Sequence, residues 1–333
     1  MGAMSAEPQN RTPPILDRVV EGPIAWTGET LAPDDGLVEV PDRCLAELEA
    51  MAAEIDDNPL PLAALRPDDF DLPACRGMMA GAKAILENGV GFVLLDRLPV
   101  ADWGAETSKA VYWLLASMVA RPVAQKWIGT MIYDVYDSGK EPGNGVRPDI
   151  TNMGQNYHTD NSYNLCPPNY VSLLCLQTAM EGGISGLVSF YTAHNEMLRR
   201  HPALLGRLYR DFVFDRQREH APGDEMILRH PLFSYEGERL TARLSHFQVV
   251  NGQKMAGEPL DEEGAEALAA FEAILDEPGM SKDFHFEPGQ IQIVDNLRCG
   301  HRRTAFRDWP EEERKRRLVR LWLRDEGRPF YHG

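Results

Sequence analysis

The stretch from Gly154 to Ser189, GQNYHTDNSYNLCPPNYVSLLCLQTAMEGGISGLVS, constrains this chain more than any other. It holds a His, one residue, then an Asp, followed by a Pro-Pro break, an apolar run and a double glycine. In an extended segment, side chains two apart share a face. His158 and Asp160 therefore aim one imidazole and one carboxylate at the same point. Two His and one carboxylate make a facial triad that leaves the opposite face of an iron open. This pair is two-thirds of one. His-x-Asp occurs by chance in many chains, so its weight depends on a third ligand and on something for the open face.

The rest of the chain is organised as helices first and short strands after. Residues 1–41 hold six prolines with little periodicity, an irregular arm with a short strand near Ile24–Trp26. Asp42 is expected to cap a helix whose Leu45, Leu48, Met51 (or Ala52) and Ile55 fall at helical spacing. A second helix runs to Asn88, where Gly89 suits a left-handed cap. Gly91–Leu95 is a short buried strand, and residues 101–120 form another helix. Gly, Pro and Asp crowd residues 137–149, a surface loop suited to be a lid.

Beyond the organising stretch, helices are expected from Thr192 and over Leu204–Tyr209, then strands and turns across 211–250. An amphipathic helix at 261–276 uses Leu268, Phe271, Ile274 and Leu275. Strands follow at Phe284–Glu287, Ile291–Val294 and Leu318–Leu323. This order predicts an α+β fold with a mainly β core, a double-stranded β-helix (jelly roll) with flanking helices and a helical insertion. Residues 1–90 would be an arm and helices packing on the core, and 91–333 the core itself, in one structural domain.

Composition excludes several classes. A net charge of −17 argues against a nucleic-acid binder, whose affinity comes from clustered Lys and Arg. The five cysteines are scattered, odd in number and free of any C-x-x-C, so structural zinc and a disulfide framework are not expected. Reduced thiols point to the cytoplasm. No apolar run reaches the roughly 18–20 residues of a membrane helix. The partners expected are a small-molecule substrate, no nucleic acid and no membrane; a homo-oligomer is compatible with the sequence.

Of nine histidines, one more sits in a setting like that of His158. His301 follows the strand Ile291–Val294, and a jelly roll brings such late strands beside early ones. His194, His201, His220, His230, His246, His285 and His332 are expected at the surface or behind the site. Downstream, Arg316 and Arg320 are four apart in an apolar strand and face the same way. A buried guanidinium needs an anion, supplied either by the protein or by a ligand. Gly182-Gly183-Ile184-Ser185 is a tight turn placing a hydroxyl at the start of a strand.

These residues resemble the taurine-dioxygenase-like (TauD/TfdA) family of Fe(II)/2-oxoglutarate oxygenases, within the clavaminate-synthase-like superfamily. The resemblance runs from Gly91 to Leu323. It rests on G-F-V-L-L (91–95), H-T-D (158–160), P-P-x-Y (167–170), G-G-x-S (182–185), E-P-G-Q-I-Q (287–292) and H-R-R-T-A-F…E-R-K-R-R-L-V-R-L-W-L (301–323). It implies that His158, Asp160 and His301 ligate Fe(II), and that Arg316, assisted by Ser185, pairs with the distal carboxylate of 2-oxoglutarate. Arg320 would touch either co-substrate or an anionic substrate. Arg317, adjacent to Arg316, should face the opposite way.

The implied activity is hydroxylation of an unactivated C–H bond, with O2 consumed and succinate and CO2 released. The retained Asp160 favours hydroxylation over halogenation, since related halogenases lack that carboxylate. Gln155, Asn156, Tyr157, Asn161, Ser162 and Tyr163 flank the first ligands and are candidates for substrate contact, as are Tyr133 and Tyr136 before the loop. Arg320 favours an acidic substrate. Two other readings remain: a non-catalytic jelly roll binding a small carboxylate, and an iron enzyme of the same scaffold that uses no 2-oxoglutarate.

Overall fold

The computed structural model describes residues 13–141 and 147–333. The crowded loop 137–149 therefore lies partly outside the described residues. In chain order the elements are β1 (Leu37–Glu39), α1 (Asp42–Asp57), α2 (Pro73–Asn88), β2 (Phe92–Asp96), α3 (Val100–Val119), β3 (Arg121–Val123) and β4 (Ile132–Val135). Next come β5 (Gln155–His158), β6 (Tyr170–Gln177), β7 (Glu181–Gly182), β8 (Ser185–Ser189), α4 (Phe190–Arg200), α5 (Pro202–Leu205) and β9 (Asp211–Asp215). The remainder is β10 (Ile227–Pro231), β11 (Phe233–Glu236), β12 (Arg239–Ala242), α6 (His246–Ala256), α7 (Glu262–Leu275) and β13 (Lys282–Phe284). It closes with β14 (Ile291–Asp295), β15 (Cys299–Arg303), β16 (Phe306–Arg307) and β17 (Arg317–Arg324).

These strands build a jelly roll with two main sheets. The larger has the order β1-β2-β14-β6-β17-β3, with β4 also on β17; the smaller has the order β13-β8-β15-β5. Non-consecutive neighbours in both sheets bring late strands between early ones. β17 shows how the sequence sets the layers. Val319, Leu321 and Leu323 pack with helices α1, α2 and α3 on the outer face of the large sheet. Trp322, on the alternate face, joins the cluster between the sheets with Val171, Leu187 and Val188. Alternation along one strand thus separates a structural face from a face that looks into the roll.

No strand forms at Ile24–Trp26; turns occupy it, and the arm's strand is β1, paired in parallel with β2. Gly89 has φ −105°, so it is not a left-handed cap; Gly91, at φ +80°, takes that conformation two residues later. Strand β13 lies two to three residues before the expected Phe284–Glu287. Residues 246–250, expected as strand and turn, instead begin α6, which runs to Ala256. That helix packs tightly on β9 because Gly252 brings its backbone against Val213, where any Cβ would collide with the carbonyl. His194 is fully buried, with Nε2 2.8 Å from the Tyr209 hydroxyl, and belongs to the core.

Candidate active site

Register places the two histidines together. β15 pairs antiparallel with β5 so that His301 lies directly opposite His158. Directly opposed residues in such a pair project to the same face, and the two rings sit 4.3 Å apart between centroids. Asp160 follows where the chain leaves β5. Its backbone is gripped by Asn296: Oδ1 accepts from the Asp160 N–H at 2.7 Å, and Nδ2 donates to its carbonyl at 3.0 Å. Asn296 sits in the turn between β14 and β15, so that turn holds one ligand and delivers the next.

The ligand atoms converge. Asp160 Oδ1 is 3.5 Å from His158 Nε2 and 3.6 Å from His301 Nε2. Adjacent ligands on an octahedral ion with bonds of about 2.1 Å stand about 3 Å apart, so small shifts would close the set on a metal. The His158 Nδ1 lies 2.8 Å from the Asn156 carbonyl. A carbonyl only accepts, so Nδ1 carries the proton and the Nε2 lone pair is free for a metal. Burial first, and His158 beside it, keep His301 neutral by lowering its pKa. Burial alone would raise the pKa of Asp160. The Arg320 guanidinium and the two His contacts outweigh it and hold the carboxyl well below its usual range. Two imidazoles and one carboxylate are a donor set that suits Fe(II).

Arg316 enters the same space from the end of β17. It is 5% exposed and shares a small cavity with His158, Asp160, His301 and Ser185. Its backbone N–H donates to Asp308, and its guanidinium lies over the Phe306 ring. Among the described residues no carboxylate pairs with that guanidinium, and its Nη1 is buried without a partner. Burial pushes its pKa down to about 10. Arg317 lies over the Tyr136 ring instead. The Ser185 Oγ donates to Gln292 Oε1 at 3.0 Å at the wall of this cavity.

Arg320 is brought to the site, yet all three of its nitrogens have protein partners. Nη1 is 3.1 Å from Asp160 Oδ2, Nη2 is 3.3 Å from Asp149 Oδ2, and Nε donates to Gln125 at 2.8 Å. The expectation of an acidic substrate rested on a free guanidinium there, and it loses that basis.

A larger cavity of about 460 Å³ opens beside His158 and Asp160. Gln155, Asn156, Tyr157, Asn161 and Tyr163 line it. Ser162 does not, being tied to Thr159 and the Leu244 carbonyl. Tyr133 also lies outside the lining, with its ring against the Arg320 guanidinium. The sequence reading missed the far wall: His246, Phe247, Gln248 and Val250 of α6, with Asp149 and Trp322. Only Trp322 carried a usable signal, two residues beyond Arg320 on one strand.

With this geometry in hand, comparison with known proteins is decisive for class. The profile of the taurine catabolism dioxygenase TauD, TfdA family matches residues 56–322, and the chain belongs to that family. Among relatives, FR-33289 synthase of Streptomyces rubellomurinus is 29% identical over 324 residues, covering 95% of this chain and 94% of that protein. The taurine hydroxylase-like protein SAT17 of Stachybotrys chartarum is 24% identical, over 91% of this chain and 79% of that one. Asparagine oxygenase, solved with Fe(II), 3-hydroxyasparagine and succinate, shares the fold at TM-score 0.64 and 20% identity, over 86% and 93% of the two chains. The non-heme iron oxygenase OrfP, solved with Fe and α-ketoglutaric acid, does so at TM-score 0.61 and 13% identity, over 87% and 94%.

Proposed function

We propose that this protein is an Fe(II)/2-oxoglutarate-dependent oxygenase that hydroxylates an unactivated C–H bond of a small polar organic molecule. The observation that carries the reading is Arg316: a buried guanidinium with no carboxylate partner among the described residues, in one cavity with two His and one Asp that could hold a metal. A binding module would need no triad, and an iron enzyme independent of 2-oxoglutarate would need no vacant guanidinium. Family membership and the ligands named for asparagine oxygenase and OrfP support the same reading.

In this reading His158, Asp160 and His301 hold Fe(II), and Arg316 takes the distal carboxylate of 2-oxoglutarate as a planar, two-pronged partner. Ser185 lines the same cavity, and its one proton, which points to Gln292 Oε1 at 3.0 Å, can turn to donate to that carboxylate instead. The iron, 2-oxoglutarate and O2 supply the oxidation, in which the keto acid becomes succinate and CO2 and one oxygen atom enters the substrate. The chain's own residues bind and orient. Arg320 and Asp149 separate the two cavities, while Gln155, Asn156 and Asn161 present amide groups to substrate and α6 closes the far side. Asparagine oxygenase and OrfP were solved in complex with hydroxylated amino acids, and such polar molecules suit this lining. The test is succinate release from 2-oxoglutarate by Fe(II)-loaded protein across a panel of amino acids and sulfonates. Absence of both succinate and any 2-oxoglutarate binding would sink the proposal.

A further inference from the structure

Asp160 divides its two oxygens. Oδ1 faces both His Nε2 atoms, whereas Oδ2 accepts from the indole Nε1 of Trp322 at 2.7 Å and from Arg320 Nη1 at 3.1 Å. On the reading above, Oδ1 is the atom the metal would take. We infer that Trp322 is a positioning residue of the metal centre: its N–H holds the second oxygen of Asp160 away, so that the carboxylate offers the ion one atom instead of two.

The two donors on Oδ2 are not equivalent. Arg320 divides its guanidinium among Asp160, Asp149 and Gln125, on a long side chain that can re-pair. Trp322 has one N–H and no acceptor. It is 3% exposed, and its backbone is fixed between Val171 of β6 and Val123 of β3. Its ring lies against Tyr331, at 6.5 Å between centroids and 26° between planes. The Tyr331 hydroxyl in turn donates to Asn161 at 3.1 Å. The indole therefore cannot follow the carboxylate if that group rotates. Rotation toward two-atom binding would break the bond to Trp322 and use up a coordination position. A facial triad needs three such positions open for co-substrate and oxygen. Groups that orient a ligand in this way typically change metal affinity ten- to a hundredfold when removed.

The test uses apo protein and Co(II) or Mn(II), so that no turnover intervenes. Trp322→Phe keeps a ring beside Tyr331 and deletes the donor. It should weaken Co(II) binding ten- to a hundredfold by calorimetry, alter the visible Co(II) bands, and leave the apo melting temperature near that of the wild type. The same substitution in an Asp160→Ala background should change the remaining affinity less than about twofold, since the oxygen it holds is gone. Equal losses in both backgrounds would show that Trp322 acts through general packing and would overturn the inference, as would no loss in the parent. Failure of the wild type to bind Co(II), Mn(II) or Fe(II) would sink the oxygenase reading itself, a distinct result. If Trp322→Phe does not fold, the indole N–H signals of 15N-labelled wild type and Asp160→Ala decide. One of the six tryptophans should shift sharply on loss of Asp160, and none shifting would overturn the inference.

Discussion

Replacing Arg316 with Met should make the apo protein more stable and at the same time abolish its response to 2-oxoglutarate. Burial lowers the guanidinium pKa to about 10, and each pKa unit is worth ~1.4 kcal/mol, so the charged side chain costs the fold roughly 3 kcal/mol. Since a base with a lowered pKa is still charged at neutral pH, that cost is carried throughout the working range. Met fills a similar volume and gives up the stacking on Phe306, worth roughly 0.5–2 kcal/mol. The net gain is about 1–2 kcal/mol, a rise of a few degrees in the melting temperature. Melting curves with Mn(II) in place of iron read both effects without turnover. At a hundred times its Kd, 2-oxoglutarate should stabilise the wild type by ~2.7 kcal/mol and the variant not at all. A variant that melts below the wild type in apo form, or keeps the wild-type shift with 2-oxoglutarate, would refute the reasoning.

Asp160→Ala should abolish hydroxylation and the metal-induced rise in melting temperature, while the apo protein stays folded, because Arg320 retains Asp149; an unfolded apo variant would make Asp160 structural. Arg316→Lys keeps the charge and loses the two-pronged contact, so KM for 2-oxoglutarate should rise about ten- to a hundredfold, whereas Arg317→Lys, on the Tyr136 side, should leave it within about twofold; the reverse pattern would put the strand one residue out of register. Burial lowers the pKa of His194 to about 4, while the unfolded chain takes up that proton near pH 6.5. Stability is then full above about pH 6.5 and falls as the pH drops toward 4, by roughly 3 kcal/mol in all. His194→Gln should flatten that part of the melting-temperature profile, and an unchanged slope would exclude His194 as its source.

What could be read from the sequence was whatever depends on local spacing. His158 and Asp160 share a face because they are two apart, and α7 buries the four residues its periodicity selects, Leu268, Phe271, Ile274 and Leu275. The register of β17 was also legible, since an apolar strand with Arg at every fourth position can bury those arginines on one side only. The partners of those arginines were not legible. Asp149 lies in a loop crowded with Pro, Gly and Asp, and nothing local marks it as the acid that meets Arg320. α6 was missed because its Val-Val and Asn-Gly pairs disfavour a helix and its buried face is only Gln248, Val249 and Gly252; packing on β9 overrides propensity there. Trp322 read as core, which it is, and the hydrogen bond of its N–H appears only once Asp160 is placed beside it.

The position of β5 has a further consequence. It is four residues long, lies at the edge of the small sheet, and among the described residues pairs only with β15, with a register shift between His301 and Arg303. Short edge strands of this kind open first in a folded protein. This one also supplies Gln155, Asn156 and Tyr157 to the wall of the large cavity. An ion held by His158, Asp160 and His301 would tie that edge to its one neighbour, as a cross-link closing a loop of well over a hundred residues of chain. Order in the wall and occupancy of the metal site are then linked reciprocally. A partner that stiffens the wall tightens the ion, and a chelator that strips the ion frays the wall. Iron shortage would act on selectivity as well as rate, because the surface that sorts substrates is held in shape by the ion beneath it.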